Sequence, residues 1–333
     1  MKRYGFDRLK SIVKDFNGIK VLVVGDLILD EFIWGKVSRI SPEAPVPVVW
    51  VDSENFMPGG ASNVAVNIAS LGGQVYVAGA VGRDERGKLL KGILRKKRIN
   101  TSGIVTDTNR PTTLKTRIIA QNQQVVRVDR EKIDDLSPDS LRRIIKFVRK
   151  IIKKIDVVLI EDYGKGVIVP GLITEVIDIA RRNKKLITVD PKTDHINLYK
   201  KVTAITPNKQ EASLAAGVKL GDGKELGTIG RRLLKRLGCN MVLITLGEDG
   251  MVLFEKGKRA THIPTIAQEV FDVSGAGDTV VSAFTIALGA GASPLEAAHI
   301  ANCAAGIVVG KVGTAMVNRT ELIRRIKEEI AQD

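Results

Sequence analysis

The sequence predicts an α/β fold: a doubly wound, mainly parallel sheet with helices on both faces, joined by a small antiparallel β lid. Three observations carry that expectation. Short β-branched apolar runs alternate with amphipathic helical stretches. Nearly every such run ends in glycine or polar residues. Two stretches, about 31–52 and 112–130, interrupt the rhythm. Strands alternating with helices make a parallel sheet, and such sheets bind ligands beyond the carboxyl ends of their strands. One domain over residues 1–333 is expected, with the lid contributed by 31–52 and 112–130.

The elements follow in order. Lys20–Gly25 (KVLVVG) is a buried-strand pattern, and Asp26 and Asp30 follow its carboxyl end. Either is a turn residue or a ligand contact, and Asp30 is the better placed for a ligand. In Glu31–Asp52, Pro42, Pro45 and Pro47 stand among valines, which confines the segment to a sheet edge. Pro58-Gly59-Gly60-Ala61-Ser62-Asn63 opens a helix that Gly72-Gly73 closes. Paired glycines let a ligand approach closely, and Asn63 in the first turn can aim an amide at hydroxyls; a plain glycine turn competes with that reading. A strand over Val75–Ala80 and a helix over about Glu85–Lys97 continue the alternation.

Leu114, Thr116 and Ile118 then alternate with Lys115 and Arg117, and Val126 and Val128 with Arg127 and Asp129. The polar turn Gln121-Asn122-Gln123-Gln124 joins both runs into a hairpin suited to a half-polar lid. Beyond it, the helix Pro138–Lys154 leads to strand Val157–Ile160 and then Glu161-Asp162-Tyr163-Gly164-Lys165-Gly166. A helix near Gly171–Arg182 precedes strand Leu186–Val189, which delivers Asp190-Pro191-Lys192. Strand Ala204–Thr206 delivers Pro207-Asn208-Lys209-Gln210-Glu211. The helix around Thr228–Leu237 leads to strand Met241–Thr245, which delivers Leu246-Gly247-Glu248-Asp249-Gly250.

Late in the chain, Asp272-Val273-Ser274-Gly275-Ala276-Gly277-Asp278 stands before an apolar run from Val280 to Leu288. That reads as a turn opening a buried helix, whose free amides favour an anion. A carboxylate there repels phosphate, so Asp278 needs another partner, and a general base facing a substrate hydroxyl has one. Alone, the pattern is equally a helix-entry turn.

Composition narrows the classes. The net charge of +15 raises the possibility of a nucleic-acid partner, but the basic residues are scattered over helical segments such as Lys146–Lys154, and aromatic content is only 4%. Solvated helix faces account for most of that charge. Two cysteines outside any CxxC cluster and three histidines give no zinc pattern. The chain opens on mixed charge and has no run of 18 apolar residues, so a cytoplasmic enzyme without a membrane partner is expected. Neither GxxxxGK[ST], nor GxGxxG after the first strand, nor the protein-kinase signatures occur.

Gly59-Gly60 early and Asp272–Asp278 late together resemble the two signatures of the ribokinase-like (PfkB) sugar kinases. Asn208–Glu211 and Thr245–Gly250 match that family's intervening nucleotide motifs in order and spacing. The run GKVSRISPEAPVPV (35–48) is similar to one branch, the D-glycero-β-D-manno-heptose 7-phosphate kinases. So are Asn122–Gln124, Asp162–Gly166, Asp190–Lys192 and Val309–Thr314, and the resemblance covers about 18–320.

The resemblance implies ATP-dependent phosphorylation of heptose 7-phosphate at C1, in ADP-heptose biosynthesis for lipopolysaccharide, with ATP, Mg²⁺ and a monovalent cation near Asp272 as cofactors. By the same carry-over, Asp278 is the base, and the amides of Gly275, Ala276 and Gly277 stabilise the transferred phosphoryl group. Asn208 and Glu211 organise Mg²⁺ through water, beside Lys209 and Gln210, although the same pair also reads as a helix capping box. Thr245, Gly247, Gly250 and Asn302 border the nucleotide. Asp30, Gly59, Gly60, Asn63 and Asp190 hold the sugar, and Arg39, Lys165 and Lys192 meet anionic groups. Gln121 stands where some relatives carry a basic residue, which leaves the lid's part in phosphate binding open.

The bifunctional relatives continue into a nucleotidyltransferase part. Adenylylation is therefore expected from another polypeptide, and a homodimer through the lid is expected from its sheet edges. Another PfkB-type sugar kinase, and a non-catalytic nucleotide or nucleic-acid binder, stay open as alternatives.

Overall fold

The computed structural model describes residues 5–121, 123–221, 225–266, 273, 275–311 and 315–332. Its strands are β1 (Lys20–Gly25), β2 (Leu27–Ile40), β3 (Pro47–Gly60), β4 (Gln74–Gly82), β5 (Asn100–Asp107), β6 (Thr113–Ala120) and β7 (Gln123–Arg130). They continue as β8 (Val157–Glu161), β9 (Leu186–Asp190), β10 (Ala204–Ile205), β11 (Met241–Thr245), β12 (Met251–Glu255) and β13 (Thr261–Ile263). The main sheet runs in the order β13-β12-β11-β10-β9-β8-β1-β4-β5. From β5 to β11 every neighbouring pair is parallel, and β12 and β13 close one end antiparallel.

Strand alternation divides the core between the two faces. Val21 and Val23 of β1 point into one cluster, Leu22 and Val24 into the other. The first cluster is covered by helices α1 (Phe6–Asp15), α2 (Ala61–Ser70) and α3 (Glu85–Lys96). The second is covered by α4 (Pro138–Ile151), α5 (Pro170–Arg182), α6 (Lys209–Ala216) and α7 (Leu226–Leu237). The last helices, α8 (Ala276–Gly289), α9 (Pro294–Val309) and α10 (Arg319–Gln332), return to the first face. Apolar on all sides, α8 is buried from Asp278 to Leu288, as such a helix requires. Among the described residues no helix is long and apolar enough to cross a membrane.

The second sheet runs in the order β3-β2-β6-β7. Two antiparallel hairpins, β2–β3 and β6–β7, meet through a parallel β2–β6 pair. Proline-bearing β3 occupies an edge, where a missing donor costs no ladder bond. The strands reach further into the body than 31–52, because Leu27, Ile28 and Leu29 of β2 belong to the core.

Candidate active site

A cleft of about 470 Å³ opens between the second sheet and the carboxyl ends of the main strands. Its placement follows from the topology, since β8, β9, β10 and β11 each release the chain at that edge. Asp26, one residue past β1, is buried and anchors the wall. Its carboxylate accepts the backbone N–H of Tyr163 (3.0 Å), Lys165 (3.1 Å) and Val167 (3.0 Å), and its carbonyl accepts that of Ala61 (3.1 Å). One residue thereby ties the loop after β8 to the start of α2. Burial pushes its carboxyl up, although the three amides work in the other direction.

Asp278 sits in the first turn of α8, behind Gly275 at φ +78°, a left-handed position suited to glycine. Its side chain is buried and gripped from both sides. Asn63 Nδ2 donates to Oδ2 at 2.6 Å, and the Tyr163 hydroxyl donates to Oδ1 at 2.9 Å. Burial pushes the carboxyl up to about 6, and the two donors moderate the rise. That value puts a carboxylate base near working pH.

Two more acids gather behind it. Glu161, at the end of β8, is fully buried, and neither of its side-chain oxygens has a hydrogen-bond partner among the described residues. Asp190, at the end of β9, accepts from the Thr206 hydroxyl at 2.8 Å, and burial pushes it up to about 8. Glu161 is driven well above its usual range, by burial first and then by Asp190 and Asp278. Carboxylate oxygens of Glu161, Asp190 and Asp278 all lie within 4.8 Å of one another.

On the sugar-facing side suggested by the sequence, Asp30, Gly59, Gly60 and Asn63 line the cleft together. A Cβ on Gly59 would stand 2.2 Å from Asp30 Oδ2, so only glycine lets that carboxylate lie against β3. Asn63, expected to face hydroxyls, spends an amide hydrogen on Asp278. On the opposite side, Lys192, Asn208, Glu211, Thr245, Gly275 and Gly277 line the same cleft with Asp190 and Asp278. Asn208 and Glu211 form a reciprocal capping box at the start of α6, each side chain accepting the other's backbone N–H at 2.9 Å. Burial raises the Glu211 carboxyl, and Lys192 nearby opposes that rise.

The remaining predicted residues do not line the cleft. Lys209 and Gln210 begin α6, and Ala276 begins α8. Gly247 and Gly250 shape the β11–β12 turn, where a Cβ on Gly250 would strike the Ile263 carbonyl at 2.2 Å. Asn302 is buried on α9 and donates to the Pro264 carbonyl at 2.7 Å. Arg39 stacks over Trp50 on the second sheet, 5.9 Å from the ring centroid. The Lys165 ammonium pairs with Glu131 at 2.6 Å. Asp272, Asn122 and the 312–314 part of the late motif lie outside the described residues.

Several residues that line the cleft or abut it were not singled out from the sequence. Tyr163 flanks the buried acids, Glu161 is one of them, and Lys115, Arg117 and Arg127 project from the β6–β7 hairpin. For the hairpin the signal was present, since charged residues alternate there with apolar ones on one face.

This geometry joins a conditioned carboxylate, glycine amides and flanking cations in one cleft. The sequence profile of the pfkB family carbohydrate kinases matches residues 19–321. The chain belongs to this family. It is an ATP-dependent carbohydrate kinase with the ribokinase-like fold. The kinase is 46% identical over 314 residues to the bifunctional protein HldE of Desulfatibacillum aliphaticivorans, covering 94% of this chain and 64% of the relative. It is 45% identical over 315 residues to HldE of Geobacter sulfurreducens, covering 95% and 64% respectively. The chain thus spans less than two thirds of the length of these two relatives. By structure, the kinase is similar to Arabidopsis thaliana ribokinase complexed with ribose and ATP (TM-score 0.74, 21% identity, 93% of this chain and 99% of that one). It is likewise similar to Escherichia coli phosphofructokinase-2 in complex with potassium (TM-score 0.77, 18% identity, 93% and 98%).

Proposed function

We propose that this kinase transfers the γ-phosphoryl group of ATP to C1 of D-glycero-β-D-manno-heptose 7-phosphate, as a single domain over 1–333 with the second sheet as its lid. The observation that carries the reading is the Asp278 carboxylate, held by Asn63 and Tyr163 beside the Gly275–Gly277 turn. The similarity to HldE proteins supports the choice of sugar.

Asp278 takes the proton of the C1 hydroxyl while Asn63 and Tyr163 fix the plane of its carboxylate. The start of α8 faces the charge on the transferred group with the amides of Gly275 and Gly277, while the Ala276 N–H between them donates to the Val273 carbonyl at 3.2 Å and has to leave it to join them. Asp30, Gly59, Gly60 and Asp190 hold sugar hydroxyls. Thr245, Gly247, Gly250 and Asn302 border the nucleotide, with Asn208, Lys209, Gln210 and Glu211 at its phosphates, and Lys192 at an anionic oxygen between the two ligands.

Mg²⁺ favours oxygen ligands, and the buried carboxylates with orphaned Glu161 oxygens fit such an ion. Asn208 and Glu211, whose oxygens Oδ1 and Oε2 are occupied in their capping box, would approach such an ion through water. When bound, the ion neutralises phosphate charge. A monovalent cation and a cytoplasmic location belong to the same reading. So does a homodimer through the lid, whose Val51, Val126 and Val128 are exposed.

Turnover of the 7-phosphorylated heptose by ATP, compared with ribose, fructose and fructose 6-phosphate, tests the assignment. The heptose phosphate is expected to be preferred. Asp278→Asn is expected to lower kcat by about 10²- to 10⁴-fold with ATP binding retained. Near-normal turnover in a folded variant refutes the role of Asp278.

A further inference from the structure

The cleft-facing side of the lid hairpin carries cations where sheet geometry disfavours them. The β6–β7 register sets Arg117 directly opposite Arg127, and Lys115 opposite Asp129. Residues opposed in this way share one face at about 4.5–5.5 Å between Cβ atoms, and like charges there repel. All three cations line the cleft. Local carboxylates only partly balance them. Asp129 accepts from Lys115 at 2.8 Å and from Arg127 at 3.0 Å, Arg117 pairs with Asp30, and Glu131 is shared by Lys115 and Lys165. The three lining cations thus have three carboxylates between them, Glu131 being shared with Lys165 outside the cleft lining, and Arg117 and Arg127 stay set opposite each other as like charges on the cleft face. The Arg117–Asp30 pair also fixes which end of the cleft this is, because Asp30 lies against Gly59 at the sugar side.

We propose that Arg117 and Arg127 form a subsite for a phosphate carried by the sugar at the end away from the reacting hydroxyl, with Lys115 adding charge and Asp129 orienting Arg127. The inference rests on the kinase reading above and deepens it. A tetrahedral dianion between two guanidinium forks removes their mutual repulsion and accepts several charge-assisted hydrogen bonds. Other basic residues suit this anion less well. Neither Arg39 nor Lys165 lines the cleft, and Lys192 stands beside Glu211. The subsite supplies a reason for phosphate recognition to reside in the lid, since an arriving sugar phosphate then draws the hairpin over itself.

The test compares the full chain with Arg127→Gln and Arg117→Lys. Arg127 is half exposed on an edge strand, so its replacement leaves folding intact, and matched melting curves check this. Each protein is assayed with ATP on heptose 7-phosphate and on the unphosphorylated heptose. For Arg127→Gln the kcat/KM ratio of phosphorylated over unphosphorylated sugar is expected to fall about 10- to 100-fold, with KM for ATP within about twofold of wild type. Arg117→Lys, which keeps the charge beside Asp30 but loses the fork, is expected to fall by less. Calorimetric titration of heptose 7-phosphate without ATP is expected to weaken by the same factor. An unchanged ratio overturns the proposal, as does a rise in KM for ATP alone, which assigns the arginines to the nucleotide. If the wild-type protein ignores heptose 7-phosphate but phosphorylates another sugar phosphate, the heptose reading fails and the same ratio, measured on that sugar, decides the subsite. A wild-type enzyme that accepts only unphosphorylated sugars overturns it outright.

Discussion

Replacing Tyr163 by Phe removes one oxygen atom from beside the carboxylate we propose as the base. The hydroxyl donates to Asp278 Oδ1 at 2.9 Å, while Asn63 holds Oδ2 at 2.6 Å. Burial has already lifted Asp278 to about 6, and each donor restrains that lift by favouring the charged form. A hydrogen bond to a charged group is worth about 1.5–3 kcal/mol, and one pKa unit corresponds to about 1.36 kcal/mol. Loss of the hydroxyl should therefore raise Asp278 by about one to two units, from about 6 to between about 7 and 8. The acid limb of kcat/KM for the sugar then moves to higher pH. The fraction of ionised base at pH 6 falls about 5- to 50-fold, whereas at pH 9 it is nearly that of the wild type. An ADP-release assay from pH 5 to 9.5, with KM for ATP measured in parallel, reads this directly. An unmoved acid limb, or a loss of the same size at every pH, would refute the reasoning, since either result makes Tyr163 a packing residue only.

Other outcomes follow from the same geometry. Glu161 and Asp190 have folded-state values raised above their ordinary 4.5 and 3.8, so the protonated forms cost nothing and the penalty grows as pH rises from about 4 toward about 8. In a chelator, thermal melts should show stability falling across that window, and Glu161→Gln should raise the melting temperature at pH 8 but not at pH 5; equal shifts at both values count against the buried charge. Mg²⁺ should restore stability to the wild type more than to Glu161→Gln. Gly59→Ala forces a methyl group to within 2.2 Å of Asp30 Oδ2. Displacing that carboxylate by about 1 Å should cost about 10²-fold in kcat/KM for the sugar with KM for ATP untouched, as steady-state kinetics will show. Val126→Asp together with Val128→Asp places charge on the exposed outer side of the lid, and sedimentation velocity should find a dimer converted to monomer.

The parts of this fold that local pattern reveals are the ones buried on both faces. Lys20–Gly25 and Met241–Thr245 occur as strands over those same residues, because continuous β-branched runs have few other stable uses. By contrast β5 (NTSGIVTD) carries polar residues that its position at the sheet's end permits, and α9 is too uniformly apolar to show a stripe. The glycine turns and Asp278 were visible from spacing. What surrounds Asp278 was not, since Tyr163 and Asn63 lie 115 and 215 residues away in sequence and meet it only through the sheet order. Arg117 and Arg127 were legible as one face of a hairpin. Which way that face looks depends on the parallel β2–β6 pairing, which no local pattern encodes.

Asp26 has a wider reach than its size implies. The Tyr163 amide hangs from its carboxylate and the first amide of α2, two residues before Asn63, hangs from its carbonyl. The two jaws that clasp Asp278 therefore share a hinge pin at the tip of β1. Both contacts on the Asp278 carboxylate are thereby referred to one buried residue, so a substitution at Asp26 should disturb Tyr163 and Asn63 together rather than one at a time.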